Sequence, residues 1–318
     1  MLLERLGVEV PVVQAGMGGG LSGHELASAV SEAGGLGTVT AGSAAGIERE
    51  LLAARERTER PIAVNLLLPF ARRNWFEAAA GADAVVTFWG APKRRTPGIW
   101  VHQCGSVGEA RAAHRAGADA VIVQGVEAGG HVRGTVPALE LLQLVRRQLP
   151  PGYPLLLAGG IADGGDTRRA LDAGAVAAVA GTRFLLSEES RAHPRYKQRL
   201  VDADQTVLTE LFGAGWPAPH RVVPNAATER WLAGDPRGPA LNRALNRLLA
   251  PGSRYIPAAV QERIARAQRP GSRLLSPVAV TEGAPDTLLD AGALYAGDTV
   301  RRIDEVRPPA ELVSALTP

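Results

Sequence analysis

The chain has 318 residues, 46% apolar and 21% charged, with 35 Lys and Arg against 32 Asp and Glu for a net charge of +3. That composition can bury the core of one large α/β barrel with an appendage or of two ordinary domains, and its dispersed basic residues give no reason to expect a nucleic-acid partner. The single Cys104 excludes an internal disulfide framework. The Met1–Leu6 run has no apolar signal core and no uncharged stretch reaches ~18 apolar residues, so a cytoplasmic protein without a membrane partner is expected.

Along the first 190 residues, short β-rich runs alternate with longer helical patterns, which forces parallel strands joined by crossovers. Strands are expected at Val10–Ala15, Leu36–Thr40, Ile62–Leu67, Ala84–Phe88, Ile99–Gln103, Ala120–Gln124, Leu155–Ala158 and Val176–Ala180. Most are apolar throughout, as suits strands covered by helices outside and filling a barrel inside. The fold class expected is therefore α/β, a (β/α)8 TIM barrel. A weak repeat supports it: Ala80-Gly-Ala-Asp-Ala-Val85, Ala116-Gly-Ala-Asp-Ala-Val121 and Ala173-Gly-Ala-Val-Ala177 each fall where a helix ends and a strand begins. Gly81, Gly117 and Gly174 suit the left-handed position after a helix. One unit departs from the pattern. Between the fourth and fifth strands, Trp89 to Gly98 contains two prolines and two glycines, so either the crossover helix has become a loop or the strand count is one too high.

Beyond Ser190 the pattern changes to helices and loops rich in Arg, Pro and Trp, including Gly215-Trp-Pro217, Asn225–Leu232 and Ala258–Gln268. The organisation expected is a barrel over 1–190 and a smaller, mainly helical substrate-side region over 191–300. A C-terminal segment, 301–318, follows, whose helix Pro309–Leu316 returns to the barrel.

Ligands of such a barrel bind at the C-terminal ends of the strands, so the residues just after each strand carry the information. The most specific run is Val123-Gln-Gly-Val-Glu-Ala-Gly-Gly-His131. Gly129 and Gly130 let backbone approach a flat ligand closely, and His131 is placed at the mouth. An imidazole titrates near 6.5, so His131 can exchange a proton with a carbon acid near neutral pH; the bland alternative is a loop histidine bonded to backbone. The seventh and eighth strands end in Leu157-Ala-Gly-Gly-Ile-Ala-Asp-Gly164 and Ala180-Gly-Thr-Arg-Phe184. Barrels commonly bind phosphate there, which makes Gly159, Gly160, Gly181 and Thr182 candidates for a cradle, while Asp163 reads equally well as a helix N-cap.

The run Gly18-Gly-Gly-Leu-Ser-Gly23 matches G-x-G-x-x-G, but the next strand does not end in the acidic residue that a dinucleotide site needs, so a Rossmann reading is rejected. Gly16, Met17 and Gly18 instead suit a flat backbone platform, and the amides of Asn65 and Gln124 can face the edge of a heterocycle. There is no C-x-x-C, H-E-x-x-H, Walker loop or G-x-S-x-G elbow. His24, His102, His114, His193 and His220 lack metal-ligand spacing, so no metal is expected. His102 reads as structural, and Trp216, Trp231, Tyr255 and Tyr295 read as packing residues.

These segments together resemble the nitronate monooxygenase family, formerly the 2-nitropropane dioxygenases. The matching pieces run nearly end to end: Pro11-Val-Val-Gln-Ala-Gly-Met17, Glu25–Gly37, Val64-Asn-Leu66, Gln124–His131, Ala158–Gly164, Gly181-Thr-Arg-Phe184, Glu188-Glu-Ser190 with His193-Pro194, and Leu294-Tyr-Ala-Gly297. The resemblance implies non-covalent FMN, its phosphate on Gly159–Gly160 and Ala180–Thr182, its ring near Gly16, Met17, Asn65, Gln124 and Gly129. It also implies that His131 is catalytic, assisting proton removal from the carbon of a nitroalkane or nitronate that dioxygen oxidises to a carbonyl compound and nitrite, with redox power from the flavin. Two departures touch the substrate side: the shortened segment Trp89–Pro97, and Asp298 where many members carry an amide. The same scaffold also resembles FMN-dependent enoyl-acyl-carrier-protein reductases and NAD(P)H:quinone reductases, and a barrel that binds flavin without catalysis is a third reading. The sequence allows a homodimer without requiring one.

Overall fold

The computed structural model describes residues 1–96, 98–253 and 258–318. Eight parallel strands form the barrel: Val12–Gln14, Gly37–Val39, Ile62–Leu67, Ala84–Phe88, Ile99–Cys104, Ala120–Gln124, Leu155–Ala158 and Ala177–Ala180. Each lies where the apolar runs place it, with ends differing by no more than two residues. Neighbours in sequence are neighbours in the sheet, and the first strand pairs with the eighth at Val13↔Val179. A parallel bridge from Val13 to Leu36 closes the ring onto the second strand. The architecture is a (β/α)8 TIM barrel.

Alternation along a strand sorts side chains between two cores. In Ala120–Gln124, Ala120 and Ile122 join the interior with Val86, Leu156 and Val179, sealed below by Leu2 and Leu6 of an N-terminal helix. Val121 and Val123 point outward onto the helices Ala138–Arg146 and Gly164–Asp172. A fully buried aliphatic chain of this kind contributes about 1.5–3 kcal/mol by its removal from water. Leu312, Val313 and Leu316 of the helix Pro309–Leu316 share that outer core.

The irregular unit resolves in favour of the loop. The fourth and fifth strands pair directly, with Thr87 opposite His102, and residues 89–96 form no helix. Because the chain must turn sharply as it leaves the strand, Trp89 adopts φ 64, a left-handed conformation costly for a bulky residue. Gly117 and Gly174 take the expected positive φ (85 and 96). Gly81 does not: it closes a short 3₁₀ turn, Ala79–Gly81, and needs no left-handed backbone. The Gly18–Gly23 run forms turns leading into the helix His24–Glu32, and the closed barrel order confirms that it is no Rossmann loop.

Past Ser190 lie the helices Pro194–Val201, Ala226–Leu232, Ala240–Ser253 and Ala258–Ala267. Asn225 caps the second of these, its side chain accepting from Thr228 N–H. A three-stranded antiparallel sheet joins this region to the barrel: Val207–Thr209 pairs with His220–Val222, which pairs with Gly130–His131. Among the described residues, no helix is long and apolar enough to cross a membrane.

Candidate active site

A cavity of about 330 Å³ opens at the C-terminal ends of the strands, within the range small-molecule sites occupy. Its wall includes Gly16, Met17, Asn65, Gln124, Gly129, Gly159, Gly160, Gly181, Thr182 and His131. Ala180 is the one sequence-selected residue outside the wall: it lies behind, its carbonyl accepting from Ala15 N–H at 2.9 Å.

Much of this wall is bare backbone held in place by neighbours. A Cβ on Gly16 would overlap the Asn65 side chain, and one on Gly129 would overlap the Ala296–Gly297 backbone. Gly159 and Gly160 turn with φ 112 and 77. Among the described residues, the N–H groups of Gly159, Gly160 and Gly181 have no protein acceptor. The Thr182 hydroxyl accepts from Gly297 N–H at 2.8 Å, tying the C-terminal segment to the end of the eighth strand. Asp163 takes the bland reading and caps the helix Gly164–Asp172, accepting from Asp166 N–H at 2.9 Å.

The Asn65 side chain makes no protein hydrogen bond among the described residues, so its amide is available to the cavity. Gln124 differs from expectation. It donates one N–H to the His131 carbonyl (3.0 Å) and accepts from Arg133 N–H (2.9 Å), so most of its amide clamps the histidine segment. The cross-strand pair His131↔His220 clamps the same segment from the other side.

His131 therefore sits on held backbone, and its ring is held too. Trp216 stacks on it at 3.6 Å between centroids and 20° between planes, with Tyr295 at 5.5 Å and Trp89 at 6.2 Å. His131 Nε2 is buried without a hydrogen-bond partner, as is Trp216 Nε1. Burial, then the neighbouring His220, hold the His131 imidazole well below its ordinary pKa of 6.5, so it is neutral near pH 7. His220 has both ring nitrogens engaged, Nδ1 with the Ala218 carbonyl (2.8 Å) and Nε2 accepting from Phe212 N–H (3.2 Å).

Trp216 and Tyr295 were expected to be packing residues; they line the cavity around His131 instead. No local signal marks them, because the chain brings them in from distant loops. Trp231 does pack, donating to the Pro270 carbonyl at 2.8 Å, and Tyr255 lies outside the described residues. His102 is structural as expected: Nδ1 bonds Thr87 Oγ1 at 2.8 Å, and burial lowers its pKa to about 4. Asp298 turns away from the cavity to pair with Arg221 at 2.8 Å and with the Thr206 hydroxyl. His24, Glu25 and Glu50 do meet, but Arg191 fills the centre of the cluster, with ion pairs of 2.7 Å to Glu25 and 2.9 Å to Glu50.

A closed (β/α)8 barrel with a backbone-walled cavity at its C-terminal mouth and a histidine on the cavity wall is the arrangement in which barrel enzymes carry their active sites. The sequence matches the nitronate monooxygenase family over residues 1–89 and 92–318, and the chain belongs to that family. The family is flavin-dependent and its members are oxidoreductases. The chain is similar to a nitronate monooxygenase of Pseudomonas aeruginosa, at 36% identity over 64% of this chain and 74% of the relative. It is also similar to the (3aS,4S,5R,7aS)-5-hydroxy-7a-methyl-1-oxo-octahydro-1H-indene-4-carboxyl-CoA dehydrogenase of Mycobacterium tuberculosis, at 34% identity over 73% of this chain and 68% of the relative. Among solved structures, nitroalkane oxidase from Streptomyces ansochromogenes superposes with a TM-score of 0.75 at 30% identity, covering 99% of this chain and 96% of that one.

Proposed function

We propose that the chain binds FMN in this cavity and oxidises alkyl nitronates with dioxygen to a carbonyl compound and nitrite, with His131 as acid/base. The observation that carries this reading is the buried, unpartnered Nε2 of a neutral His131 at the cavity wall, since a base with no protein proton to share is free to take one from substrate. The named relatives from Pseudomonas and Streptomyces support the nitro substrate class.

The cavity fits the cofactor. Unpaired N–H groups of Gly159, Gly160 and Gly181, with the Thr182 hydroxyl proton, would hold its phosphate, and Ala180 would support them from behind. Gly16 and Gly129, where a side chain has no room, would lie against its ring with Met17, and Asn65 and the remaining Gln124 N–H would meet its edge. The flavin, when bound, supplies the electron-accepting chemistry. His131 takes the proton from the carbon of a neutral nitroalkane to give the nitronate that is oxidised, or returns it, and Trp216 and Tyr295 keep water from its ring. Residues 191–300 form the substrate side, and 301–318 brace the barrel.

A second reading is an FMN-dependent NAD(P)H reductase of a quinone or enoyl thioester; the Mycobacterium relative, a dehydrogenase of a carboxyl-CoA, supports a coenzyme A thioester as the substrate class. Anaerobic mixing separates the two. Bleaching of the bound flavin by ethyl nitronate but not by NADH or NADPH supports the oxidase, and bleaching by the nicotinamides supports the reductase. Unchanged turnover in His131→Asn would refute its catalytic role in both.

A further inference from the structure

The loop that replaces the fourth crossover helix builds a second hollow of about 230 Å³ beside the first. Its floor is apolar, with Leu68, Pro69, Phe76 and Trp89, and its lip carries Lys93 and Arg95; no acidic side chain lines it. The Arg95 guanidinium lies 5.2 Å from the centroid of the Phe76 ring, which holds it over the floor. The nearby cations are already matched: Arg94 pairs with Asp119 at 2.7 Å and Arg73 with Glu77 at 2.9 Å. Lys93 and Arg95 have no carboxylate at ion-pair distance among the described residues. Trp89 is common to this hollow and to the histidine's surroundings, lying 5.2 Å from the Trp216 ring and 6.2 Å from that of His131. Phe70, a wall of the main cavity, is flanked in sequence by Pro69 and Ala71 of the second.

Two cations without an ion-pair partner beside an apolar wall form a site for a phosphorylated planar group, since guanidinium and ammonium bind phosphate and a planar base stacks on the guanidinium plane that Phe76 holds flat. We propose that this hollow binds the nucleotide tail, an adenosine phosphate, of a long substrate or reductant whose reacting end lies at His131. The proposal rests on the barrel mouth being the place of chemistry, and it adds a handle that a small nitronate lacks. Coenzyme A thioesters and NADPH both carry such a tail and differ in the position of the ribose phosphate.

The test is calorimetric titration of the FMN-loaded protein with adenosine 3′,5′-bisphosphate, the coenzyme A tail, and adenosine 2′,5′-bisphosphate, the NADPH tail. Saturable binding of either one is expected, weakened about tenfold or more in Lys93→Ala/Arg95→Ala and kept in Arg147→Ala, an exposed cation on the helix side of the barrel. Preference for the 3′ or the 2′ isomer names the source. Absence of binding, or equal loss in Arg147→Ala, overturns the proposal. Far-ultraviolet circular dichroism and the flavin spectrum of each variant show that it is folded and loaded. Because no turnover is needed, failure of the nitronate reaction leaves this result readable, and failure here leaves the flavin and His131 readings standing.

Discussion

Two histidines, His102 and His220, are buried in neutral form, and mild acid should therefore unfold the protein in a calculable way. His102 and His220 titrate at about 4 because burial disfavours their charge. In the unfolded chain each titrates near 6.5. The unfolded state thus binds more protons than the folded one below pH 6.5, and stability falls with falling pH until the folded values are reached. At pH 5.5 an unfolded histidine is roughly nine-tenths protonated and these folded ones hardly at all. Each then contributes a slope of about 1.2 kcal/mol per pH unit, and the two together about 2.4. Over the full window His102 and His220 remove about 3 kcal/mol each, a large part of the ~5–15 kcal/mol that holds a domain folded. Urea unfolding between pH 6 and 5 at one saturating FMN concentration reads the slope, before most carboxylates titrate. His102→Gln should lower it by about half. A flat wild-type profile, or a slope unchanged in the variant, would refute the reasoning.

Other expectations follow from the site. The acid limb of kcat/KM should lie below pH 6.5 and should move up in Trp216→Ala, since opening the stacked face to water eases protonation of His131; a limb that stays put counts against that stacking. Gly129→Val should lower FMN occupancy, measured at 450 nm after desalting, and cost ~1–3 kcal/mol, because its side chain collides with the Ala296–Gly297 backbone. Arg191→Met should cost about 3–5 kcal/mol in urea unfolding by leaving Glu50 buried without its cation. The guanidinium and His24 hold Glu50 at about 2 against the opposing effect of burial, so its stabilisation is present above pH 4.5 and lost as pH falls towards 2, and the variant should be most penalised near neutrality.

The barrel was legible because its strands are continuous apolar runs separated by helical patterns, a signal carried within each segment. Gly117 and Gly174 were legible because a helix stop is a local event. Gly81 was not, since a 3₁₀ turn reaches the same strand without a left-handed residue. The cavity's glycines could be read for the same reason as the strands: they follow each strand directly, and strand ends are where a barrel opens.

What the linear order could not supply was the company His131 keeps. Trp216 and Tyr295 approach it only after the C-terminal region adds its two strands to Gly130–His131, and no local pattern specifies that pairing. Gln124 likewise suits a ligand's edge until tertiary packing brings the His131 carbonyl within its reach. Asp298 turns outward because Arg221 arrives from the small sheet. Sequence alone determined the barrel, the glycine wall and the histidine at the end of the sixth strand, since each depends on neighbours within a few residues. Tertiary structure decided the histidine's protonation and the second hollow behind Trp89, because desolvation and charge depend on groups that only the folded chain assembles.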